Sequence, residues 1–182
     1  MADSSAAGYL SPTTTAIEDD ALDNVLHDAI SAISGLPGNM VRPRWQPTVP
    51  KMPEQSTNWC AFGVKETHAD EYPAESHDPT GTGTSTLQRH IEFDVFLSFY
   101  GTNAMSFAST LRDGLFVAQN RDVLMANGIN LISVDRIITA PDLVNQQWIH
   151  RYDLTLHCKR REDRTYPVLN ILSAPIAVTS SH

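Results

Sequence analysis

Apolar residues recur at helical spacing near the start of the chain and would line one face of a helix. They are Ile17, Ala21, Leu22, Val25, Leu26, Ala29, Ile30 and Ile33. Thr15 and Glu18 have the spacing of a capping box, in which each side chain accepts a hydrogen bond from a backbone N–H of the first turn. Gly35 suits a left-handed stop, and Pro37 cannot continue a helix. The pattern predicts an N-terminal amphipathic helix that begins near Thr15 and ends at Gly35.

Two later segments alternate apolar and polar residues, as half-buried strands do. One runs from Arg89 to Tyr100 and the other from Trp148 to Lys159. Shorter strands are predicted at 58–64, 129–138 and 168–172, and helices from about Asn103 and over 121–126. The segment 41–53 contains four prolines, which lack the N–H that a sheet ladder needs. It is therefore predicted to be an edge strand or an extended crossing segment.

Polar segments without apolar periodicity separate or flank these elements. Residues 69–86 combine Pro, Gly, Ser, Thr and acidic residues and predict an extended mobile loop. Residues 1–14 predict a flexible N-terminal arm and residues 174–182 a flexible C-terminal tail. The remainder, 15–173, is predicted to form a single domain. The order helix, strands, helices, strands predicts an α+β fold with a mainly antiparallel sheet, helices packed on one face, and a long hairpin loop.

The charge balance narrows the classes of partner. The 182 residues carry a formal net charge of −8, which argues against a generic nucleic-acid binder with a basic surface. Cys60 and Cys158 are too few for a disulfide framework and are expected to be reduced and buried. The first residues have neither a basic start nor an apolar core of a signal peptide, and no run approaches the length of a membrane span. The compartment at synthesis is therefore expected to be the cytoplasm.

Signatures of catalysis are missing from the sequence. It contains no GxGxxG, Walker, GxSxG or HExxH motif. One group is a candidate metal site, since its residue types bind zinc. It comprises His68, Asp70, Glu71, His77 and Asp78. Solvated loop residues explain the same group, while a small metal-dependent hydrolase is the enzyme alternative. We expect no enzyme, no cofactor and no resident metal.

Two sets of residues are candidates for protein contacts. Lys159, Arg160, Arg161 and Arg164 are predicted to form a basic hairpin turn. That turn would be solvated, would pair with an acidic neighbouring subunit, or would touch DNA. Arg42 and Arg44 beside Trp45 form the second set, because Arg and Trp are enriched at binding hot spots. Asp70 and Glu71 are the acidic residues that the basic turn would meet on a neighbour, whereas Trp59 and Trp148 are expected in the core.

Several phrases of the sequence together resemble a phage protein family. They are Gly35-Leu36-Pro37-Gly38 leading into Val41-Arg42-Pro43-Arg44-Trp45-Gln46, Asn58-Trp59-Cys60-Ala61-Phe62-Gly63, Ser98-Phe99-Tyr100-Gly101, Leu111-Arg112-Asp113-Gly114-Leu115 with Gln119-Asn120-Arg121, Gln147-Trp148 with Arg151-Tyr152-Asp153-Leu154, and Arg164-Thr165-Tyr166-Pro167-Val168. Their order and spacing are similar to those of the phage neck terminator, or tail terminator, proteins of contractile-tailed phages. The resemblance covers roughly residues 20–175.

The resemblance implies a structural virion protein of the tail and neck. Such subunits form a ring, expected to be hexameric, at the head-proximal end of the tail. The ring stops growth of the tube and sheath and joins the tail to the neck connector. Its implied partners are other copies of the chain, the tail tube and sheath proteins, and the connector or stopper protein. Genome DNA would pass through the lumen without sequence-specific binding, and no membrane is involved. A head-completion or stopper protein and a tail tube protein are the alternatives.

Overall fold

The computed structural model describes residues 3–48, 50–144 and 146–171. Three α-helices lie in this part of the chain: α1 Asp19–Ser34, α2 Ala104–Gly114 and α3 Ala118–Ala126. A single 3₁₀ turn, Gly38–Met40, follows α1. The described strands are β1 Val41–Pro43, β2 Trp59–Ala69, β3 Ala74–Asp78, β4 Thr84–Tyr100, β5 Ile129–Val134, β6 Ile138–Thr139, β7 Asp142–Val144, β8 Gln147–Ile149 and β9 Arg151–Tyr166.

The main sheet has the strand order β1-β2-β4-β9-β5. The short edge strand β1 runs parallel to β2, whereas the β2–β4, β3–β4, β5–β9 and β6–β9 pairs are antiparallel. Strands β7 and β8 form a separate two-stranded ribbon. With helices packed against this mainly antiparallel sheet, the fold is α+β, and the predicted class is confirmed. The position of β1 at the sheet edge also agrees with the prolines of the 41–53 segment.

The chain divides into two compact units. The larger unit consists of Ile17–Glu71 and His90–Glu162. The smaller unit consists of Met1–Ala16, Tyr72–Arg89 and Asp163–His182. The sequence predicts one domain over 15–173 between two flexible ends, and those boundaries and mobilities stay predictions.

The apolar core of the larger unit lies between its helices and one face of its sheet. On β4, the alternate residues Ile91, Phe93, Val95, Leu97 and Phe99 are all buried, as the period-2 pattern predicts. Helices α1 and α2 supply the facing side chains Leu22, Leu26, Ala29, Ile30, Ala104, Ala108 and Leu111. The intervening β4 residues therefore lie on the opposite, outer face of the sheet.

The end of α1 agrees with the sequence, but its start does not. Gly35 adopts the left-handed conformation with φ of 80°, and its N–H donates to the carbonyl of Ser31. The helix begins at Asp19 rather than near Thr15. Glu18 precedes it with extended backbone, at φ −132° and ψ 169°, and within the described part of the chain its side chain makes no capping hydrogen bond. Because Glu18 is itself the N-cap residue, it cannot serve as the third helical residue of a capping box with Thr15.

The basic run at 159–164 is part of a strand, so the predicted hairpin turn is wrong. Strand β9 continues through it to Tyr166, and residues 168–171 form no strand. Leu172, the last residue of the predicted terminal strand, lies outside the described residues. The alternating charges allow the strand to continue, because Arg160 and Glu162 lie on the same side of β9 and form an ion pair.

The region before β9 also differs from the pattern. The predicted 148–159 strand is interrupted at His150, so that β8 pairs with β7 while β9 joins the main sheet. Trp148 is 69% exposed and Ile149 is buried instead, which corrects the expectation that Trp148 belongs to the core. Trp59 is half-buried and stacks on Tyr100 with 4.4 Å between ring centroids. Strand β5 ends at Val134, and the separate β6 follows.

Regular structure occupies much of the predicted 69–86 loop in the smaller unit. There β3 pairs with the first residues of β4, from Ala74 opposite Gln88 to Asp78 opposite Thr84. Asn170 holds the turn of this hairpin. Its side-chain amide donates to the carbonyls of Pro79 and Gly81, and its backbone N–H donates to Thr82. The segment is therefore a β-hairpin whose turn is held by hydrogen bonds from Asn170, rather than an irregular loop.

Both cysteines are free and buried, as expected. Burial raises the pKa of the Cys158 thiol to about 12 and raises that of Cys60 still further. Thiols with such pKa values are poor nucleophiles near neutral pH. No helix among the described residues is both long and apolar enough to cross a membrane.

Candidate interaction surfaces

An open apolar groove lies beside the sheet edge in the larger unit. We call it the Trp45 groove. It has a volume of about 420 Å³. Its walls are Arg42, Pro43, Arg44, Trp45, Gln46, Pro50, Met52, Pro53, Trp59 and Ala61. Hydrogen bonds hold the wall in place: Arg42 donates to the carbonyls of Asn39 and Lys51, and Gln46 donates to Pro43. These hydrogen bonds within the subunit therefore give the groove a defined wall.

Trp45 presents most of its ring to solvent while one part of the ring rests on the sheet. Its side chain is 74% exposed, and its backbone φ is 58°. A Cβ added at Gly63 would come within 2.6 Å of the Trp45 ring, so only glycine lets the indole lie this close to β2. Exposure of a tryptophan at this level leaves apolar area that a partner can cover.

The predicted set Arg42, Arg44 and Trp45 therefore comes together in one place. The Arg42 guanidinium lies 5.9 Å from the Trp59 ring centroid, a cation–π distance. Arg44 donates through Nη2 to the Ser98 hydroxyl. Both arginines are thus oriented by contacts within the subunit and still line the groove with positive charge.

A polar network covers the outer face of the sheet at the same end. Ser98 is fully buried and donates to Asp153 while accepting from Arg44. Arg151 binds Asp153 with two hydrogen bonds of 2.8 Å each and also contacts Asp142 at 3.1 Å. Such planar two-point pairing is the strong form of an arginine–carboxylate contact. The network links β4, β7 and β9 through side chains, and it was not apparent from the sequence because its members are far apart in the chain.

A second polar group on the outer face centres on a histidine. His157 Nδ1 lies 2.6 Å from Asp94 Oδ1, and Nε2 lies 3.2 Å from Asp135 Oδ1. The hydrogen bond with Asp94, followed by that with Asp135, raises the pKa of His157 against the opposing effect of burial. The two carboxylates therefore favour the protonated ring.

Some of the acidic and basic residues predicted to meet across a subunit boundary interact within one subunit. Asp70 accepts hydrogen bonds from the backbone N–H and the ring of His90. That backbone bond lowers the pKa of Asp70, and the charge of nearby Lys159 acts in the same direction. Lys159 itself pairs with Glu92 at 3.7 Å. Asp70 and Lys159 therefore interact within the subunit, and Glu71 is exposed beside Asp70. The contact of these acidic and basic residues across a ring boundary stays a prediction.

The other basic residues of β9 fall into different environments. The Arg160 side chain is 11% exposed, donates to the carbonyl of Ile17, pairs with Glu162 and lies over the Phe93 ring. It is therefore part of the subunit interior. Arg161 is exposed on the opposite side of the strand, and Arg164 is half-buried in the smaller unit. Of the proposed contact residues on β9, only Lys159 and Arg161 present much side chain to solvent in the larger unit.

Two sets of exposed apolar side chains were not predicted from the sequence. One is a patch on the α2–α3 connection and α3, where Phe116, Val117, Val123 and Met125 are each more than half exposed. The other is Tyr9 in the smaller unit, which is 100% exposed. The patch could have been noticed because these apolar residues do not fit the narrow stripe around the buried Leu124.

The described residues hold no group of three or more His, Cys, Asp or Glu side chains arranged to bind a metal ion. What the larger unit presents instead is an apolar groove, an apolar helix patch and a rigid charged sheet face. Surfaces of these kinds are suited to contacts with other proteins.

The comparisons with known proteins identify the family. The family described as phage neck terminator protein matches residues 20–181. The chain therefore belongs to the phage neck terminator family and is a structural protein of the phage tail and neck. No curated protein matches the chain. One similar solved structure is a chain of the virion of a native gene transfer agent particle, with 17% identity and a TM-score of 0.35. The match covers 79% of this chain and 100% of that one, and a likeness this weak has no bearing on function.

Proposed function

We propose that this protein is a tail terminator that closes the head-proximal end of a phage tail as a ring of identical subunits. The observation that carries the proposal is the family match over residues 20–181, nearly the whole chain. The ring would stop growth of the tail tube and sheath and would join the tail to the neck connector. Six subunits are the expected number.

The described surfaces support a ring. Closed rings are built from heterologous contacts, so each subunit needs two different complementary surfaces. The larger unit exposes apolar side chains at several places. Among them are the Trp45 groove, the patch at Phe116, Val117, Val123 and Met125, and the pair Leu143 and Trp148 of the β7–β8 ribbon. Exposed apolar groups of this kind commonly mark protein contacts.

The charge of the subunit suits a channel for DNA. With a net charge of −8 in every copy, the ring would be strongly acidic. We propose that the lumen is acidic as well, so that it repels the DNA phosphates and lets the genome slide through without specific binding. A ring whose lumen is lined by Lys and Arg would contradict this part of the proposal.

Assembly of virions with and without this chain tests the proposal. Electron microscopy of a terminator-deficient preparation should show tails of irregular length, and adding the purified protein should restore a uniform length. Full heads that leak DNA beside tails of normal length would instead assign a stopper role. Open-ended tubes formed by the purified protein alone would assign a tube role. Light scattering on the same sample gives the number of subunits per ring.

A further inference from the structure

A loop near the N-terminus of the smaller unit is fastened at both ends. Ser4 donates its backbone N–H to Pro167, and its hydroxyl accepts from the N–H of Leu169. Thr13 donates to the carbonyl of Thr165, and the Thr14 hydroxyl accepts from the N–H of Thr165. Residues 5–12, which we call the tyrosine loop, therefore leave and return to the same short stretch of chain. The family match begins at residue 20, so the loop lies outside it.

The tyrosine loop carries an aromatic residue that its own unit does not cover. Tyr9 is 100% exposed, while the adjacent Leu10 is half-buried. Tyrosine supplies a large contact area with few rotatable bonds and is enriched at binding hot spots. A loop held at both ends has also lost part of its conformational freedom before binding, which lowers the entropy cost of docking.

The Trp45 groove has the chemistry to receive this side chain. Trp45, Trp59, Met52 and the prolines offer rings and apolar faces, and about 420 Å³ is ample space for an aromatic ring. The two charged residues that line the groove are both arginines. Between Asp3 and Ala16 the only charged side chain is Asp3, an acid. The tyrosine loop itself, residues 5–12, carries no charged side chain, so it brings no like charge against the two arginines.

We propose that the tyrosine loop of one subunit docks in the Trp45 groove of a second copy of this chain, with Tyr9 as the anchor. Loop and groove are different surfaces of the same chain, so repeating the contact from copy to copy satisfies the geometry of a heterologous ring. The inference rests on the proposed ring function for its biological setting. The contact itself is a separate claim that can fail alone.

Mixed-subunit crosslinking tests the contact. Ser11→Cys places a thiol in the tyrosine loop without removing Tyr9, and Thr48→Cys places one at an exposed position two residues beyond the groove residue Gln46. The two variants are mixed, assembled and treated with a short thiol-specific crosslinker. The native Cys60 and Cys158 are 0% and 1% exposed and will not compete. A control mixture pairs Ser11→Cys with Thr110→Cys, an exposed position on α2.

The expected result is a crosslinked dimer at a yield at least tenfold above the control mixture. Adding Tyr9→Ala to the Ser11→Cys subunit should return the yield to the control level. Rings seen by negative stain without this crosslink would overturn the loop contact and leave the terminator function standing. If the crosslink forms but no rings are seen, either on tails or with the purified protein alone, the contact is supported and the ring function is overturned. If neither the crosslink nor rings are observed, both the loop contact and the ring function are overturned.

Affinity measurements give a second, independent test. If Tyr9 and Trp45 form one contact, Tyr9→Ala and Trp45→Ala should each raise the dissociation constant of the assembly by roughly 10- to 30-fold. The double variant should be little worse than either single one, because coupled residues lose the same interaction. Tyr72→Ala removes a comparably exposed tyrosine, at 87%, and should leave the constant unchanged. Additive losses from Tyr9 and Trp45 would show that the two residues do not touch.

Discussion

At the scale of single residues, the outer face of the sheet depends on polar side chains that are satisfied within the subunit. Ser98 is 0% exposed and joins Arg44 to Asp153. His157 lies between Asp94 and Asp135. A buried polar group that loses its partner keeps the cost of having been removed from water. These positions should therefore be sensitive to changes that barely alter their volume.

Ser98→Ala should lower the free energy of unfolding by about 1–3 kcal/mol, because it leaves the partly buried Arg44 and Asp153 groups short of a hydrogen bond. Urea denaturation measures the change. Ser133→Ala on β5 is the matched control, since Ser133 is exposed, and should stay within about 0.5 kcal/mol of the parent protein. Equal effects from the two serines would mean that the Ser98 network contributes nothing to stability.

His157 should make stability depend on pH. Its pKa is raised from the ordinary value of 6.5 in the folded state, chiefly by the Asp94 hydrogen bond. The stabilisation is therefore fully present below about pH 6.5 and is lost as the pH rises through the raised pKa. His157→Gln should lower the Tm more at pH 5.5 than at pH 8.5, through a contribution under about 1 kcal/mol for so exposed a group.

Asp94→Asn provides the control for this pH effect, because it keeps His157 and removes the carboxylate that contributes most to the raised pKa. The pH-dependent part of the Tm difference should shrink in this variant. A histidine substitution that lowers the Tm equally at both pH values would contradict the assignment.

At the scale of elements, β9 shows that a run of charged residues can form part of a strand. The run Lys159–Arg164 has the composition of a turn, yet alternate residues of a strand face opposite sides. Arg160 and Glu162 lie on the buried side with exposures of 11% and 6%, and they neutralise each other there. The exposed Arg161 lies between them. Adjacent arginines on one strand should therefore differ sharply in their effect on stability.

Arg160→Ala should lower the free energy of unfolding by about 3 kcal/mol, because it removes the cation beside the buried Glu162 carboxylate. Arg161→Ala, one residue along the same strand, should change it by no more than about 1 kcal/mol, because the contacts of an exposed charge contribute little to stability. Thermal and urea unfolding of the two variants decide the matter. Similar losses at both positions would contradict the arrangement of β9.

At the scale of the whole molecule, the apolar core belongs to one unit. Every buried core residue in the described chain lies in the larger unit. The described residues of the smaller unit contribute no apolar side chain to that core; Ser85 is buried there, while all five residues of β3 are exposed. Strand β3 lies at an edge of the sheet and buries none of its side chains, so little packing holds it in place. Its backbone hydrogen bonds should therefore open more easily than those of the larger unit.

Hydrogen exchange followed by mass spectrometry should reveal this difference in the free protein. After correction for intrinsic rates, amides of Ala74–Asp78 should exchange at least about a hundredfold faster than those of residues 91–99 of β4. Equal protection in the two segments would show that the hairpin is stabilised by something other than an apolar core.

The period of the apolar pattern by itself determined most of the larger unit. Helical spacing located α1, and alternation located the buried face of β4. The prolines indicated an edge strand or an extended crossing segment over 41–53, where the structure has the edge strand β1 at Val41–Pro43. The motifs also led to the right family. These features follow from local geometry, because the repeat of a helix or strand directly sets which residues can share one apolar face.

Only the tertiary structure decided which charged side chains are paired or buried and which aromatic rings are exposed. Whether Arg160 is a surface residue, whether Asp70 and Lys159 interact within one subunit, and whether Trp148 is buried all depend on which strands pair. The Trp45 groove likewise requires Gly63 on β2 to lie under a ring that is eighteen residues away in the chain. A local sequence pattern shows which environments a side chain could occupy. Whether a polar or aromatic side chain is buried, exposed or paired depends on residues far away in the chain, so only the tertiary structure determines it.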